Sequence, residues 1–102
     1  MQNINQEKFI ELSESGKYTI LDVRQPNECD SGIVSGAKEI DFMDQSLFMS
    51  EVEKLNKNDN YLVYCRSGNR SGMACRMMDN IGFKNTYNLT GGMLAWTGPL
   101  EN

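Results

Sequence analysis

The chain has 102 residues, of which 39% are hydrophobic, and its 10 basic and 14 acidic side chains give a formal net charge of −4. This length predicts a single domain spanning residues 1–102, and the composition is too apolar for a disordered tail. The acidic balance opposes the phosphate-neutralising surface that nucleic-acid binding requires, and no apolar run is long enough to span a membrane. We therefore expect a soluble globular protein that binds neither nucleic acid nor membranes.

Cysteine and histidine usage narrows the chemistry further. The chain has no histidine, so it lacks the commonest general base and the commonest metal ligand. Cys29, Cys65 and Cys75 are an odd number of cysteines at no metal-binding spacing, so we expect neither a metal nor another cofactor. The first seven residues lack the basic and apolar segments of a signal peptide, which favours the reducing cytoplasm and free thiols.

The first half of the chain predicts alternating short helices and strands. A capped helix starts after Asn5 and stops at Gly16, and an apolar run with a strand's composition follows it. The predicted elements after that helix are a strand at Tyr18–Val23, a helical turn from Pro26 to about Ser31, a strand at Ala37–Ile40, and one or two helices between Phe42 and Asn56.

The second half continues the alternation. Tyr61–Tyr64 is rich in aromatic and branched residues and predicts the clearest strand. The segment from Arg70 to about Asn80 has helical spacing, Thr86–Leu89 predicts a last strand, and Gly92–Trp96 predicts a final helix. Strands separated by helices indicate a small three-layer α/β domain with a mainly parallel sheet flanked by helices.

The segment around Cys65 carries the strongest functional signal. A buried strand ends at this cysteine, and a polar, glycine-containing loop leads from it into a helix. Parallel α/β sheets bind ligands beyond the carboxyl ends of their strands, and a helix N-terminus favours negative charge. If the amides of residues 66–70 turn inward, they form an anion-binding nest around the sulfur. Arg66 and Arg70 would add positive charge, so Cys65 is expected to be a thiolate at neutral pH.

The residues around the sulfur have further expected roles. Gly68 permits the tight turn, while Ser67 and Ser71 donate hydroxyl hydrogen bonds to a bound anion or cap the helix. In the alternative reading, Cys65 is a small buried hydrophobe and the arginines are surface charges. That alternative does not explain why polar residues crowd the positions after Cys65. Cys29 and Cys75 lack such surroundings, so packing is their expected role.

Three motifs in order resemble the single-domain rhodaneses, which have the sulfurtransferase fold. The first motif is followed by a turn of small residues, the second is the loop after the central strand, and the third lies near the C-terminus. The matching residues are Leu21–Arg24 with Pro26, Glu28 and Gly32; Ser35–Ala37; Cys65–Ser71; and Gly91–Trp96. One departure is Ile33, where the family usually has histidine, and another is Cys29, where an aromatic residue is common.

This resemblance implies a thiosulfate sulfurtransferase that works by ping-pong covalent catalysis without a cofactor. Cys65 would take the outer sulfur of a donor such as thiosulfate as a persulfide and pass it to cyanide or a thiol. A protein donor or acceptor is also compatible with this chemistry. Arg66 and Arg70 would hold the donor's anionic end, and Asp22 and Arg24 would support the loop. The implied active-site loop comprises Arg66, Ser67, Gly68, Asn69, Arg70 and Ser71.

Two other functions remain open at this point. A cysteine-dependent phosphatase or arsenate reductase uses the same strand, cysteine and nest, but its pattern places five residues between cysteine and arginine. Here four residues separate Cys65 from Arg70. The second alternative is a carrier module whose cysteine exchanges sulfur with a partner protein without useful turnover on small molecules.

Overall fold

A computed structural model describes all residues from Met1 to Asn102 and is built on one five-stranded sheet. Every strand pairing in the sheet is parallel, and the strand order is β1-β5-β4-β2-β3. The strands are β1 (Gln2–Ile4), β2 (Tyr18–Asp22), β3 (Lys38–Glu39), β4 (Asn60–Tyr64) and β5 (Asn85–Leu89). Strand β4 lies at the centre, so its carboxyl end opens at the middle of the edge where such sheets bind ligands.

Four α-helices and a short 3₁₀ helix connect and follow the strands. Asn5 caps the first helix by accepting a hydrogen bond from the Lys8 amide at 2.9 Å. The helices are α1 (Gln6–Glu14), α2 (Pro26–Cys29), α3 (Gln45–Val52) and α4 (Asn69–Asn80), and the 3₁₀ helix spans Gly92–Ala95. None of these helices has the length and apolar character needed to cross a membrane.

Two apolar cores cover the two faces of the sheet. On one face, Phe48 of α3 and Met78 of α4 pack with Val63 of β4. On the other face, Phe9 of α1 packs against Tyr64 of β4 and meets Trp96 edge to face at 5.7 Å between ring centroids. The helices therefore sandwich a parallel sheet, which confirms the predicted three-layer α/β fold.

The main difference from the sequence prediction is strand β1, which the prediction missed. Gln2–Ile4 pairs in parallel with β5, yet only Ile4 of the three residues is buried. Such a short segment has no apolar alternation to reveal it, and the neighbouring strand supplies its hydrogen bonds. Phe42–Asn56 holds one helix, which starts after the cap Asp44 and lies within the range predicted for one or two helices. A smaller difference is that the last helix is 3₁₀.

Candidate active site

Cys65 lies directly after the central strand β4 and before helix α4. The loop between them turns at Gly68, whose φ of 98° is in the left-handed region that favours glycine. The Cys65 side chain is fully buried. The fold thus places the sulfur beneath the first turn of a helix, at the sheet edge that the sequence predicts.

Two backbone amides and one hydroxyl group converge on the Cys65 sulfur. The Gly68 amide lies 3.1 Å from Sγ, and the Ser71 amide lies 3.4 Å from it. The Ser71 hydroxyl oxygen is 3.3 Å from the same atom. The two amides belong to the turn at Gly68 and to the first turn of α4. Amides at a helix N-terminus have no partner within the helix. Their partial positive charges form an anion-binding nest around the sulfur.

The 3₁₀ helix holds this loop from outside. The Met93 amide donates to the Cys65 carbonyl at 3.0 Å, and the Leu94 amide donates to the Arg66 carbonyl at 3.0 Å. Because the C=O and N–H of a trans peptide point in opposite directions, the second bond turns the Ser67 amide toward the sulfur. Backbone contacts outside the loop therefore set the direction of the amides inside it.

Gly92 is the residue that lets this helix approach so closely. A Cβ atom at this position would lie 2.5 Å from the Arg66 carbonyl and 2.6 Å from the Cys65 carbonyl oxygen. The backbone φ of Gly92 is also positive, at 52°. Both the close approach and the dihedral angle require glycine here.

The balance of burial and hydrogen bonding lowers the pKa of Cys65. Burial acts most strongly and raises the pKa, because it disfavours the charged form. The Ser71 hydroxyl, followed by the amides of Ser71, Gly68 and Ser67, acts in the opposite direction and together outweighs it. The site can therefore stabilise a thiolate without a histidine, because backbone amides supply most of the donors.

The two arginines of the loop have different surroundings. Arg70 forms a bidentate ion pair with Glu28 of α2, with N–O distances of 2.7 and 2.8 Å. This pairing raises the pKa of Arg70 and lowers that of Glu28 to about 2. Arg66 is exposed and lines a cleft of about 210 Å³ beside Met93 and Leu94. Arg66 is thus open to a ligand, whereas Arg70 already has a carboxylate partner.

Asp22 and Arg24 form a buried ion pair at the end of β2, with an N–O distance of 2.6 Å. Arg24 also donates to the Glu28 carbonyl at 3.2 Å and to the Gly32 carbonyl at 2.8 Å. These bonds tie β2 to α2, the helix that carries the partner of Arg70. This position is compatible with the supporting role predicted for Asp22 and Arg24.

The remaining predicted residues are placed as follows. Ser67 and Asn69 are exposed on the loop. The backbone of Ile33, the position of the family's usual histidine, pairs with Glu101 in an isolated antiparallel bridge. Cys29 and Cys75 are buried free thiols, and burial raises the pKa of each to about 12. The hydrogen bonds to the Cys65 sulfur come from Gly68 and Ser71, and none involves either of these thiols.

The sequence reasoning missed one residue beside the nest. Asn88 of β5 is only 5% exposed and contacts both Ser71 and Gly68 through its amide group. A signal was available, because asparagine is depleted in strands and a buried one needs hydrogen-bond partners.

A buried strand that ends in a cysteine, an amide nest around its sulfur and the N-terminus of a helix define a class of α/β domain that stabilises a thiolate. The Rhodanese-like domain family model matches residues 5–99. The chain therefore belongs to the rhodanese-like domain family, which confirms the resemblance of the sequence motifs.

Sequence similarity to individual proteins supports this family assignment. The chain is 38% identical over 103 residues to "Putative sulfur carrier protein YrkF" of Bacillus subtilis, covering 96% of this chain and 52% of that protein. It is 39% identical over 79 residues to "Putative sulfurtransferase YtwF" of the same organism, covering 78% of this chain and 73% of that protein. The chain thus spans about half the length of the first relative and most of the second.

The fold also matches a solved structure. The crystal structure of a rhodanese-like domain protein from Staphylococcus aureus superposes with a TM-score of 0.85 at 30% sequence identity. The match covers 99% of this chain and 97% of that one. The similarity therefore includes the elements on both sides of the Cys65–Ser71 loop.

Proposed function

We propose that this protein is a sulfurtransferase that carries a sulfane sulfur on Cys65 as a persulfide. The observation that carries this proposal is that the Gly68 and Ser71 amides lie within 3.4 Å of Cys65 Sγ, with the Ser71 hydroxyl oxygen 3.3 Å from the same atom. Donors aimed at one sulfur atom suit a thiolate nucleophile. Membership of the rhodanese-like family and the relatives named for sulfur transfer support the same reaction class.

The reaction proceeds in two half-reactions. In the first, the Cys65 thiolate attacks the outer sulfur of thiosulfate, a new S–S bond forms, and the donor's S–S bond breaks with its electron pair leaving on sulfite. Arg66, exposed in the cleft beside the loop, would attract the donor's anionic oxygens. In the second, a thiol or cyanide attacks the outer sulfur and the electron pair returns to Cys65 Sγ.

A sulfur carrier is the second candidate function, and one observation favours it. One relative is named as a sulfur carrier. A carrier would share the Cys65 persulfide but would receive or release sulfur on a protein partner.

Intact-mass analysis after incubation with thiosulfate tests the proposal. We expect a gain of one sulfur atom, about 32 Da, that peptide mapping assigns to Cys65 and that cyanide removes. The matched controls are Cys65→Ser, which should gain nothing, and Cys75→Ser, which should gain the same mass as the parent. Loading without rapid turnover would favour the carrier. No sulfur on Cys65 from thiosulfate or from a protein persulfide would contradict both candidates.

A further inference from the structure

The orientation of the Asn88 side chain is fixed by its neighbours. Its Nδ2 lies 3.2 Å from the Gly68 carbonyl oxygen and 3.0 Å from Asn3 Oδ1. A backbone carbonyl only accepts hydrogen bonds, so the amide atom facing Gly68 must be the nitrogen. The Asn88 Oδ1 atom therefore faces Ser71 Oγ, at a distance of 2.5 Å.

This orientation creates a competition for the Ser71 hydroxyl proton. A serine hydroxyl has one proton to donate, and two acceptors lie next to it. Asn88 Oδ1 is 2.5 Å from Ser71 Oγ, while Cys65 Sγ is 3.3 Å away. Since Asn88 Oδ1 has no proton to give, the short contact requires that Ser71 donates to Asn88. The hydroxyl then presents only a lone pair to the sulfur.

We propose that Asn88 is a positioning residue that accepts the Ser71 hydroxyl hydrogen bond while Cys65 Sγ is neutral. When Sγ becomes negatively charged, the hydroxyl donates to Sγ instead. A neutral sulfur is a weak acceptor and leaves the proton with Asn88. A thiolate makes a charge-assisted hydrogen bond about twice as strong as a neutral one, so it draws the hydroxyl away.

The role of the Ser71 hydroxyl in turnover deepens the proposed function and rests on it. In the persulfide the negative charge lies on the outer sulfur, so Sγ is neutral and the hydroxyl returns to Asn88. In that state the loop amides would donate to the charged outer sulfur. When an acceptor attacks that sulfur, the electron pair returns to Sγ and the hydroxyl moves back to stabilise the leaving thiolate. The hydroxyl thus follows the charge through both half-reactions.

The test is the pKa of Cys65, measured as the pH dependence of iodoacetamide labelling of the Cys65 peptide. Asn88→Ala and Asn88→Val both remove the competing acceptor, and the second also suits a strand. Each should lower the pKa of Cys65 by up to about one unit, the size of one neutral hydrogen bond. The same changes made in a Ser71→Ala background should leave the labelling profile at that of Ser71→Ala alone.

Thr86→Val is the matched control, because Thr86 lies on the same strand, is equally buried and bonds Asp79 instead of Ser71. Its labelling profile should equal that of the parent. A higher pKa in the Asn88 variants, or an equal shift with and without the Ser71 hydroxyl, would overturn the proposal, because Asn88 would then act through Gly68 or through packing. The pH midpoint of labelling reports the ionisation of Cys65 whether or not it takes up sulfur, so this test is independent of the proposed sulfur transfer.

Discussion

Two buried cysteines, one before helix α4 and one within it, have surroundings with opposite effects on the pKa of their thiols. Cys65 and Cys75 are both 0% exposed. For Cys75, burial raises the pKa to about 12, and the Thr86 side chain offsets little of that increase. For Cys65, burial also raises the pKa, but four hydrogen-bonding groups reverse the direction. Burial alone therefore does not decide whether a cysteine is inert, since the number of donors aimed at the sulfur also matters.

The largest effect should come from removing the nucleophile itself. Cys65→Ser should abolish sulfur transfer without unfolding the chain, because serine keeps the small polar side chain but forms no persulfide. Cys75→Ser and Cys29→Ser should retain transfer, since neither thiol faces a nest. Thiocyanate formation from thiosulfate and cyanide measures the activity, and equal loss in all three variants would contradict a single nucleophile.

Gly92→Ala should have the next largest effect. Its Cβ would lie 2.5 Å from the Arg66 carbonyl, so the 3₁₀ helix and the loop must move apart. A displacement of about 1 Å in a catalytic group can cost roughly 100-fold in rate. We expect a loss of that order, together with a higher pKa of Cys65, measured by labelling.

Gly16→Ala is the control for backbone strain. Gly16 has a similar positive φ of 75°, but an added Cβ there meets nothing within 4 Å. This variant should lose stability in thermal unfolding while the labelling profile of Cys65 stays unchanged. If both variants changed the profile equally, strain rather than loop contact would be the cause.

Ser71→Ala should have an intermediate effect. It removes the hydroxyl that can donate to the Cys65 thiolate but keeps the amide donors of Ser67, Gly68 and Ser71. We expect the pKa of Cys65 to rise by up to about one unit, because the bond to Asn88 offsets part of the hydroxyl's contribution. Ser67→Ala is the control, since only the backbone amide of Ser67 acts on the sulfur. An unchanged profile in Ser71→Ala would show that the amides alone stabilise the thiolate.

The smallest effect should come from Glu28→Gln, which frees Arg70 from its ion pair. The unpaired guanidinium should lower the pKa of Cys65 by about 0.3 units, because partly exposed charges interact weakly. The pKa of Glu28 is about 2, so its carboxylate stays charged and adds no pH dependence above about pH 4. Glu51→Gln breaks a pair of similar length on α3, with Lys54 at 2.8 Å, and should change nothing.

Much of this site could be predicted from the sequence, because local patterns specify it. The apolar run before Cys65, the glycine in the loop and the helical spacing after it predict a cysteine at a helix N-terminus. The partner of Arg70 was not predictable in this way, because Glu28 lies 42 residues earlier in the chain. The contacts of Asn88 with Ser71 and Gly68 likewise depend on how β5 packs beside β4. Local spacing encodes the nest, whereas the groups that orient it depend on the tertiary fold.

The pH dependence of labelling at Cys65 and Cys75 in the same folded protein tests the central comparison most directly. We predict that Cys65 titrates below the ordinary thiol pKa of about 8.5, while Cys75 remains unlabelled until the protein unfolds. A Cys65 pKa at or above that ordinary value would contradict the proposal that inward-facing amides keep its sulfur ionised.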